Sequence, residues 1–272
     1  MIALDLDGTL LNTEKRVTRA SVDALARAHA DGAHIVIVTG RNLPMARKSV
    51  SVLPMPLTFI AHNGAVTMHA DSDAPIETRH LPPQTAGVIC DAFRETSCEP
   101  FLYVADGDAC RLLHLPSPGN PALARYIAAN ESVCKPVADL MGSVDGARIL
   151  HVVAIESSDR VRRALDTLPE FPDARLMTSG GLYGGEYWFL EAIHPAASKV
   201  DALRAVTSRW NLSLADTLAI GDNLNDLDML AAVGCGVAMG NAPETVKAVA
   251  DRVTASNDAE GVALALGDST AR

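Results

Sequence analysis

The sequence IALDLDGTLL, residues 2–11, joins a short apolar run to two aspartates and a glycine. Its first three residues, Ile2–Leu4, are apolar and are typical of a short buried strand in a parallel sheet. The run ends at two aspartates, Asp5 and Asp7, and Gly8 then permits a turn that most side chains would resist. Because ligands of open α/β sheets bind outside the carboxyl ends of the strands, we expect both carboxylates to lie where a ligand binds.

The chemistry of two neighbouring carboxylates points to a cation and to phosphoryl transfer. Two such groups repel each other unless something positive lies between them, and oxygen ligands suit a hard cation such as Mg2+. An ionised aspartate beside Mg2+ can attack phosphorus, and a second, protonated aspartate can serve the leaving oxygen. An Asp-x-Asp pair alone also occurs often by chance at the end of a strand, so the decision depends on the rest of the chain.

The next segment predicts a βαβ unit. Thr18 is placed to cap a helix that extends through Ala30 with apolar residues at helical spacing. His34–Val38 is a run rich in β-branched residues that stops at Thr39. A strand, a helix and a strand in succession favour a parallel pair, so Thr39 should emerge at the same sheet edge as Asp5.

The middle of the chain differs in pattern from both ends. Leu81-Pro82-Pro83 is the first boundary in composition, and the segment that follows reads as mixed α and β, long enough for an inserted domain. Strands and helices alternate again after Glu191. We therefore predict an α/β domain formed from residues 1–82 and 188–272, interrupted by an α/β domain formed from residues 83–187.

Residue type also predicts three turns and a final helix. The turns are Asp71-Ser72-Asp73, inside a hairpin from Val66 to Arg79, and Gly180-Gly181 and Gly184-Gly185, near the end of the inserted domain. The last helix is predicted from Asp258 to Leu266.

The composition is that of a soluble globular protein and limits the partners. Hydrophobic residues make up 48% and charged residues 21% of 272, enough apolar material for a large core. The formal net charge of −10 argues against nonspecific nucleic-acid binding and against an anionic membrane surface. The five cysteines form no C-x-x-C pair, which suits scattered reduced thiols better than disulfides or a zinc site. Asp5 comes too early for a secretory signal peptide, and no apolar run approaches the length of a membrane span. We expect a cytoplasmic protein.

Three further stretches could complete a phosphate site beside the two aspartates. Thr39-Gly40-Arg41 offers a hydroxyl and backbone N–H groups near a helix start, which suit a phosphate. Lys199 begins a predicted helix, where a cation opposes the helix dipole and therefore favours an anionic partner. The segment Gly221–Asp226 offers more oxygen ligands at another strand end. Taken singly, Thr39 could be a helix cap, Lys199 a surface charge and Asp226 a first-turn carboxylate. All of these features together, in this order and at strand ends, are a poor match to coincidence.

With these four stretches in order, the chain resembles the haloacid dehalogenase (HAD) superfamily of phosphohydrolases. It is most similar to the Cof-type branch, subfamily IIB, in which a cap domain is inserted between the second and third motifs. The matching segments are DLDGTL, VTGR, AHNGA, GDNLNDLDML and AMGNA, and the resemblance extends over nearly the whole chain. It implies a Rossmann-like α/β core with a parallel sheet, and it makes residues 83–187 an inserted α/β cap.

The resemblance also implies roles for individual residues. It makes Asp5 the nucleophile and Asp7 the general acid/base. Asp5, the backbone carbonyl of Asp7, and Asp222 would hold Mg2+, with Asp226 supporting the site. The phosphoryl group would be bound by residues of the second and third motifs and their neighbours, namely Thr39, Gly40, Arg41, Lys199 and Asn225.

Two expectations about this site can be tested against structure. Asp7 must be protonated when the alcohol leaves and ionised when water attacks the aspartyl-phosphate, so we expect its neighbours to raise its pKa relative to that of Asp5. Many relatives have Gly after the lysine of the third motif, whereas Val200 follows Lys199 here. The alternative cation, Lys247, falls in a late helix outside the matching context.

These features predict a Mg2+-dependent phosphatase acting on a small phosphorylated metabolite, either a sugar phosphate or a phosphorylated cofactor such as pyridoxal phosphate. A phosphosugar mutase would use the same aspartyl chemistry, and a noncatalytic phospholigand-binding regulator could keep the same fold. The intact acidic and basic set argues against the regulator, because binding alone needs no nucleophile. One sequence specifies neither the substrate nor the oligomeric state.

Overall fold

The structure is a computed structural model that describes residues 1–69, 72, 75–106, 109–144, 146–182 and 185–267. It divides into two compact units, the first formed by Met1–Thr78 with Ala197–Arg272 and the second by Arg79–Ala196. Three residues that the sequence places in turns, Asp71, Asp73 and Gly184, lie outside the described residues. The predicted turn at Gly180-Gly181 is wrong, because both glycines lie within the strand Arg175–Leu182, which pairs with the strand Tyr187–Ile193.

Strands and helices alternate along much of the described chain. In chain order the strands are β1 Ile2–Leu4, β2 Ile35–Val38, β3 Leu57–Ala61, β4 Val66–His69, β5 Glu77–Thr78, β6 Pro100–Asp106, β7 Ala109–His114, β8 Cys134–Pro136, β9 Arg148–Ser157, β10 Arg175–Leu182, β11 Tyr187–Ile193, β12 Leu218–Gly221, β13 Cys235–Ala238 and β14 Arg252–Val253. The helices are α1 Arg19–Ala30, α2 Leu43–Ser49, α3 Pro83–Glu95, α4 Pro121–Ala129, α5 Ser158–Thr167, α6 Lys199–Arg209, α7 Leu227–Ala232, α8 Glu244–Lys247 and α9 Gly261–Gly267. None of these helices is both long enough and apolar enough to cross a membrane.

The first unit is built on an eight-stranded sheet with the order β14-β13-β12-β1-β2-β3-β4-β5. Its strands are parallel from β14 to β3, and β4 and β5 add an antiparallel edge. Leu4 of β1 is aligned with Ile220 of β12 on one side and with Ile37 of β2 on the other. The predicted βαβ unit and parallel α/β core are therefore confirmed, and the carboxyl ends of these three strands meet at one edge.

Apolar residues on the central strands explain why this sheet forms the core of the unit. β1 and β2 are buried along their whole length, as expected for parallel strands covered on both faces. Helix α6 contributes Leu203 and Val206 to the core on one face, and α7 contributes Met229. Thr18 caps α1 as predicted, because its side chain accepts a hydrogen bond from the backbone N–H of Ser21.

The second unit contains a six-stranded sheet with the order β10-β11-β9-β6-β7-β8, antiparallel except for the pair β7–β8. Its core joins strand residues such as Val152 to Phe93 of α3 and Val161 of α5. An α/β architecture for this segment agrees with the sequence prediction.

The unit boundaries differ from those predicted at 82/83 and 187/188. Strand β11 pairs with β9 and with β10, so the chain leaves the second unit only after Ala196. At the other boundary, the backbone N–H of Leu81 donates to the carbonyl of Ile149 at 2.8 Å, which ties residues before Pro83 to the second unit. The predicted boundaries followed turn-forming residues, whereas the actual ones follow strand pairing.

The predicted start of the last helix is also wrong. Helix α9 begins at Gly261 and not at Asp258. The carboxylate of Asp258 instead accepts hydrogen bonds from the backbone N–H and the hydroxyl of Thr13, at 2.8 Å and 2.5 Å. Directly before α9, Glu260 has φ of 59°, which is outside helical geometry, so the helix starts only after it.

Candidate active site

A buried ammonium group joins two carboxylates at the edge where β1, β2 and β12 end. Nζ of Lys199 donates to Oδ1 of Asp5 at 2.7 Å and to Oδ1 of Asp226 at 2.6 Å. All three side chains are buried. Burial alone would lower the pKa of Lys199, but the charges and hydrogen bonds of Asp226 and Asp5 raise it above its ordinary value. Lys199 is therefore a permanent cation in this site.

The position of Lys199 follows from the start of α6. The helix is capped by Ser198, whose hydroxyl accepts from the backbone N–H of Asp201 at 3.0 Å. Lys199 is then the first helical residue, where the helix dipole disfavours a cation. The carboxylates of Asp5 and Asp226 offset that effect. Lys247, the alternative cation, donates to Glu244 within its own helix at 3.0 Å.

A third carboxylate, from Asp222, completes an acidic cluster with Asp5 and Asp226. Each residue places one carboxylate oxygen within 4.8 Å of those of the other two. Oδ1 of Asp222 accepts from the hydroxyl of Thr9 at 2.9 Å. Burial, with a smaller contribution from the charge of Asp226, nevertheless raises the pKa of Asp222 to about 6. Three carboxylates beside one ammonium leave the cluster short of positive charge whenever the carboxylates are ionised.

The acidic cluster fits a hard divalent cation such as Mg2+. Both oxygens of Asp226 already have partners, because Oδ2 accepts from the backbone N–H groups of Asp222 and Asn223 at 3.0 Å each. Oxygens of Asp5 and Asp222 are then the ones best placed to serve as ligands. Gly8 leaves room beside them, since a Cβ at this position would lie 2.2 Å from Oδ2 of Asp222.

Two cations hold the carboxylate of Asp7. Nε of Arg41 donates to Oδ2 at 2.5 Å, Nη2 of Arg41 donates to Oδ1 at 2.6 Å, and Nζ of Lys15 donates to Oδ1 at 2.7 Å. Burial acts to raise the pKa of Asp7, but Arg41 and then Lys15 outweigh it and lower that pKa below its ordinary value. Asp7 is therefore ionised in this arrangement.

The predicted order of the two aspartate pKa values is wrong. Burial raises the pKa of Asp5 well above its ordinary value, and the charges of Asp226 and Asp222 add to that rise against the lowering by Lys199. The difference has a simple cause. Asp5 is fully buried and shares one cation with another carboxylate, whereas Asp7 is half exposed and faces two cations.

Residues of the second motif adjoin this site. Thr39 is buried directly after β2, and its hydroxyl accepts from the backbone N–H of Arg41 at 3.1 Å. A Cβ at Gly40 would lie 3.1 Å from Oδ1 of Asn63, and that same oxygen accepts from Nδ2 of Asn225 at 3.2 Å. The sequence could not distinguish a turn-forming role for Asn63 from a place next to the substrate. Its φ of 52° fits a turn, and it also contacts Asn225, a predicted site residue.

Sequence reasoning missed three residues that hold the aspartates in place. Thr9 and Asn241 both bond to Asp222, the latter at 3.3 Å through its amide nitrogen. Both lie within the matched segments DLDGTL and AMGNA, so that signal was available. Lys15 lies in a polar loop, and no pattern in the sequence singled it out.

An acidic cluster at the carboxyl edge of a parallel sheet, with an inserted α/β unit, is the architecture expected for the HAD superfamily. A model of the haloacid dehalogenase-like hydrolase family matches residues 2–266, and the chain belongs to that family. The predicted relation to its Cof-type branch, subfamily IIB, is confirmed.

Individual relatives are named phosphatases. The chain is 32% identical to phosphatase YwpJ of Bacillus subtilis (strain 168), with 97% of each chain covered. It is 28% identical to pyridoxal phosphate phosphatase YbhA of Escherichia coli (strain K12), covering 97% of this chain and 96% of that one. A solved sugar phosphatase of HAD subclass IIB shares the fold, with a TM-score of 0.77 at 22% identity over 99% of this chain and 98% of that one. The protein is a phosphatase of the HAD superfamily.

Proposed function

We propose that this phosphatase is Mg2+-dependent and hydrolyses small phosphomonoesters through an aspartyl-phosphate on Asp5. The observation that carries the proposal is the 2.7 Å contact between Lys199 and Asp5 inside an acidic cluster that is short of positive charge. A site of this kind suits a phosphoryl group, because it combines a nucleophile, a fixed cation and oxygen ligands for a metal. The relative named for pyridoxal phosphate and the sugar phosphatase fold support a sugar phosphate or a phosphorylated cofactor as substrate.

The residues that would hold Mg2+ are Asp5, Asp222 and the backbone carbonyl of Asp7. Asp226 would support them through its bonds to Lys199 and to the backbone N–H of Asp222. When bound, Mg2+ would compensate the negative charge of the cluster and of the phosphoryl oxygens.

In the first step, a carboxylate oxygen of Asp5 forms a bond to phosphorus while the bond from phosphorus to the leaving oxygen breaks. Lys199 stabilises negative charge on the equatorial oxygens, and Thr39, Arg41 and Asn225, with the backbone N–H of Gly40, bind and orient the phosphoryl group. Asp7, which Arg41 and Lys15 keep ionised in the free protein, takes up a proton from solvent before this step and gives it to the leaving oxygen. Losing one charge-stabilising donor typically costs about 3 kcal/mol of activation energy.

In the second step, a water oxygen forms a bond to phosphorus and the bond from phosphorus to Asp5 breaks. Asp7 takes the proton from that water, and the products are inorganic phosphate and the free Asp5 carboxylate. One carboxyl group thus acts as acid and then as base.

The test is phosphate release from a panel of phosphomonoesters, with Mg2+ or with a chelator, for the native protein and for Asp5→Asn. Asp228→Asn is the matched control, because Asp228 is exposed and the same isosteric change leaves the acidic cluster intact. Release that requires both Mg2+ and Asp5 supports the proposal.

Release that persists in Asp5→Asn or in the chelator would contradict it. Transfer of phosphate between sugar hydroxyls without net release would instead indicate a mutase. Thermal stabilisation by phosphosugars with no turnover would indicate a binding protein.

A further inference from the structure

The turn between β3 and β4, residues 62–65, contacts the second motif, the start of α6 and the fourth motif, Gly221–Asp226. We propose that Asn63 in this turn is a positioning residue whose side-chain oxygen fixes the amide of Asn225 for the phosphoryl group. This inference rests on the proposed function, in which Asn225 binds that group, and adds a residue to it.

The backbone of this turn is bonded to the segment that follows β2. The N–H of His62 donates to the carbonyl of Arg41 at 3.0 Å, and the N–H of Asn63 donates to the carbonyl of Thr39 at 3.0 Å. His62 and Asn63 have φ of 51° and 52°, in the left-handed region that residues other than glycine seldom adopt. Asparagine tolerates this conformation better than most residues do. The turn and the second motif are therefore held together through their backbones.

The same turn lies against the start of α6. Gly64 has φ of +98°, and a Cβ at this position would lie 2.2 Å from the carbonyl oxygen of Ser198, the residue that caps the helix of Lys199. Only glycine allows so close an approach of two backbones. The position of the turn is thus fixed against the second motif on one side and against α6 on the other.

From this fixed turn, the side chain of Asn63 contacts the fourth motif. Asn63 is buried, and its Oδ1 accepts from Nδ2 of Asn225 at 3.2 Å. Its amide also lies against Gly40, because a Cβ there would be 3.1 Å from Oδ1 and 3.2 Å from Nδ2 of Asn63. Two residues assigned to the phosphoryl group, Gly40 and Asn225, therefore pack against one buried side chain.

The bond to Asn63 matters because of the chemistry of the Asn225 amide. That amide has two N–H donors on its nitrogen and an acceptor oxygen beside it. A phosphoryl group needs a donor, and an amide that turned its oxygen toward the group would repel it. Because Oδ1 of Asn63 accepts one N–H, it holds the amide in one orientation and leaves the second N–H to donate. A residue that only formed the turn would not need this oxygen, since glycine adopts the same backbone conformation.

The experiment is a double-mutant cycle between Asn63→Gly and Asn225→Ala, with kcat/KM as the readout. Glycine keeps the left-handed turn and removes only the side chain. We expect Asn63→Gly to lower kcat/KM about five- to tenfold, the value of one hydrogen bond, and Asn225→Ala to lower it about a hundredfold. In the Asn225→Ala background, Asn63→Gly should lower kcat/KM by less than about twofold, whereas a purely structural role would lower it equally in both backgrounds.

Asn211→Gly is the matched control for the backbone. Asn211 is an exposed asparagine with φ of 53°, so the substitution makes the same chemical change in the same backbone conformation. Its kcat/KM should stay within about twofold of the native value. Thermal unfolding of both glycine variants shows whether they fold.

Four results would overturn the inference: an unchanged kcat/KM in Asn63→Gly, an equal fall with and without Asn225, an equal fall in Asn211→Gly, or failure of Asn63→Gly to fold while Asn211→Gly folds. The last would show that the side chain serves the fold.

Two further variants separate this inference from the proposed function. If Asp5→Asn still releases phosphate, the proposed function itself fails. If Asn225→Ala keeps the native kcat/KM, the assignment of Asn225 to the phosphoryl group fails and this inference fails with it. If Asp5→Asn is inactive and Asn225→Ala is impaired while Asn63→Gly behaves as the native protein, only the role of Asn63 fails.

Discussion

Nζ of Lys199 lies 2.7 Å from Oδ1 of Asp5, although 194 positions separate the two residues in the chain. The whole second unit, Arg79–Ala196, is inserted between them. Strand β1 ends directly before Asp5, and α6 begins at Lys199, so two element ends of the first unit create this contact. The candidate active site therefore forms only when the two chain segments of the first unit fold together.

Replacing Lys199 by Met should strongly destabilise the protein. It would leave Asp5 and Asp226 buried without their cation, and breaking a buried ion pair in this way costs about 3–5 kcal/mol. We expect a loss of that size in urea denaturation, together with a loss of activity of at least about a hundredfold. Lys247→Met is the matched control, because the partner of Lys247 is exposed; it should change stability by less than about 0.5 kcal/mol. Equal effects from both variants would show that the buried pair has no special role.

Gly8→Ala should disrupt metal binding. The new Cβ would lie 2.2 Å from Oδ2 of Asp222, and Gly8 also has φ of +84°. Gly32 is a suitable control, since it has φ of +94° and no described atom lies within 4 Å of its Cβ position. Both variants should lose about 1 kcal/mol of stability through backbone strain. Titration calorimetry should show weakened Mg2+ binding in Gly8→Ala alone, and equal Mg2+ affinity in the two variants would contradict this account of Gly8.

Mg2+ affinity should fall as the pH is lowered through about 6, the raised pKa of Asp222. A proton on this carboxyl group competes with the metal, so affinity should decrease by about tenfold for each pH unit below that value. Without Mg2+, the contribution of Asp222 to the free energy of unfolding changes with pH in the opposite direction to the Mg2+ affinity. Because its pKa in the folded state lies above the unfolded value of about 4, this contribution falls as the pH rises from about 4 to about 6.

The pH dependence of Mg2+ binding can be measured from thermal shifts with and without Mg2+ between pH 5 and 8, values chosen to bracket the pKa of Asp222. Asp222→Asn should remove both the shift and its pH dependence. A Mg2+-induced shift that is independent of pH would contradict the assignment of Asp222 as a ligand.

Asp258→Ala should loosen the loop that carries Lys15. The backbone N–H of Thr13 donates to Asp258, and these hydrogen bonds lower the pKa of that carboxyl group. Without its acceptor, the Thr13 amide should exchange with solvent faster, as should its neighbours in the loop. Hydrogen exchange followed by mass spectrometry measures the exchange rate of these amides. Asp228→Ala, which removes an exposed carboxylate, is the control and should leave that rate unchanged. Unchanged exchange at Thr13 would show that Asp258 does not hold the loop.

Much of the fold and the acidic cluster could be predicted from the sequence, for a physical reason. Parallel strands bring their carboxyl ends to one edge, so residues that follow β1, β2 and β12 converge however far apart they lie in sequence. Asp5, Thr39 and Asp222 each come directly after an apolar run, and that local signal placed them at the edge. Lys199 was found in the same way, from the start of a helix.

Other features depend on contacts that leave no local pattern. Lys15 contacts Asp7 from a left-handed backbone conformation, in a loop that Asp258 contacts from near the chain end. The order of the aspartate pKa values depends on how three cations and four carboxylates are arranged in one site. The end of the second unit depends on the pairing of β11 with β9. The sequence of β11 alone does not show which of the two units the strand belongs to.

Identifying the residue that carries the phosphoryl group during turnover shows directly whether Asp5 is the nucleophile. The protein is mixed with a good substrate and Mg2+, quenched in acid within milliseconds, digested and examined by mass spectrometry. We predict one added phosphoryl group on the peptide that contains Asp5, located on Asp5 and absent from Asp5→Asn. Turnover with the phosphoryl group on Asp7, on another residue or on none would contradict the account.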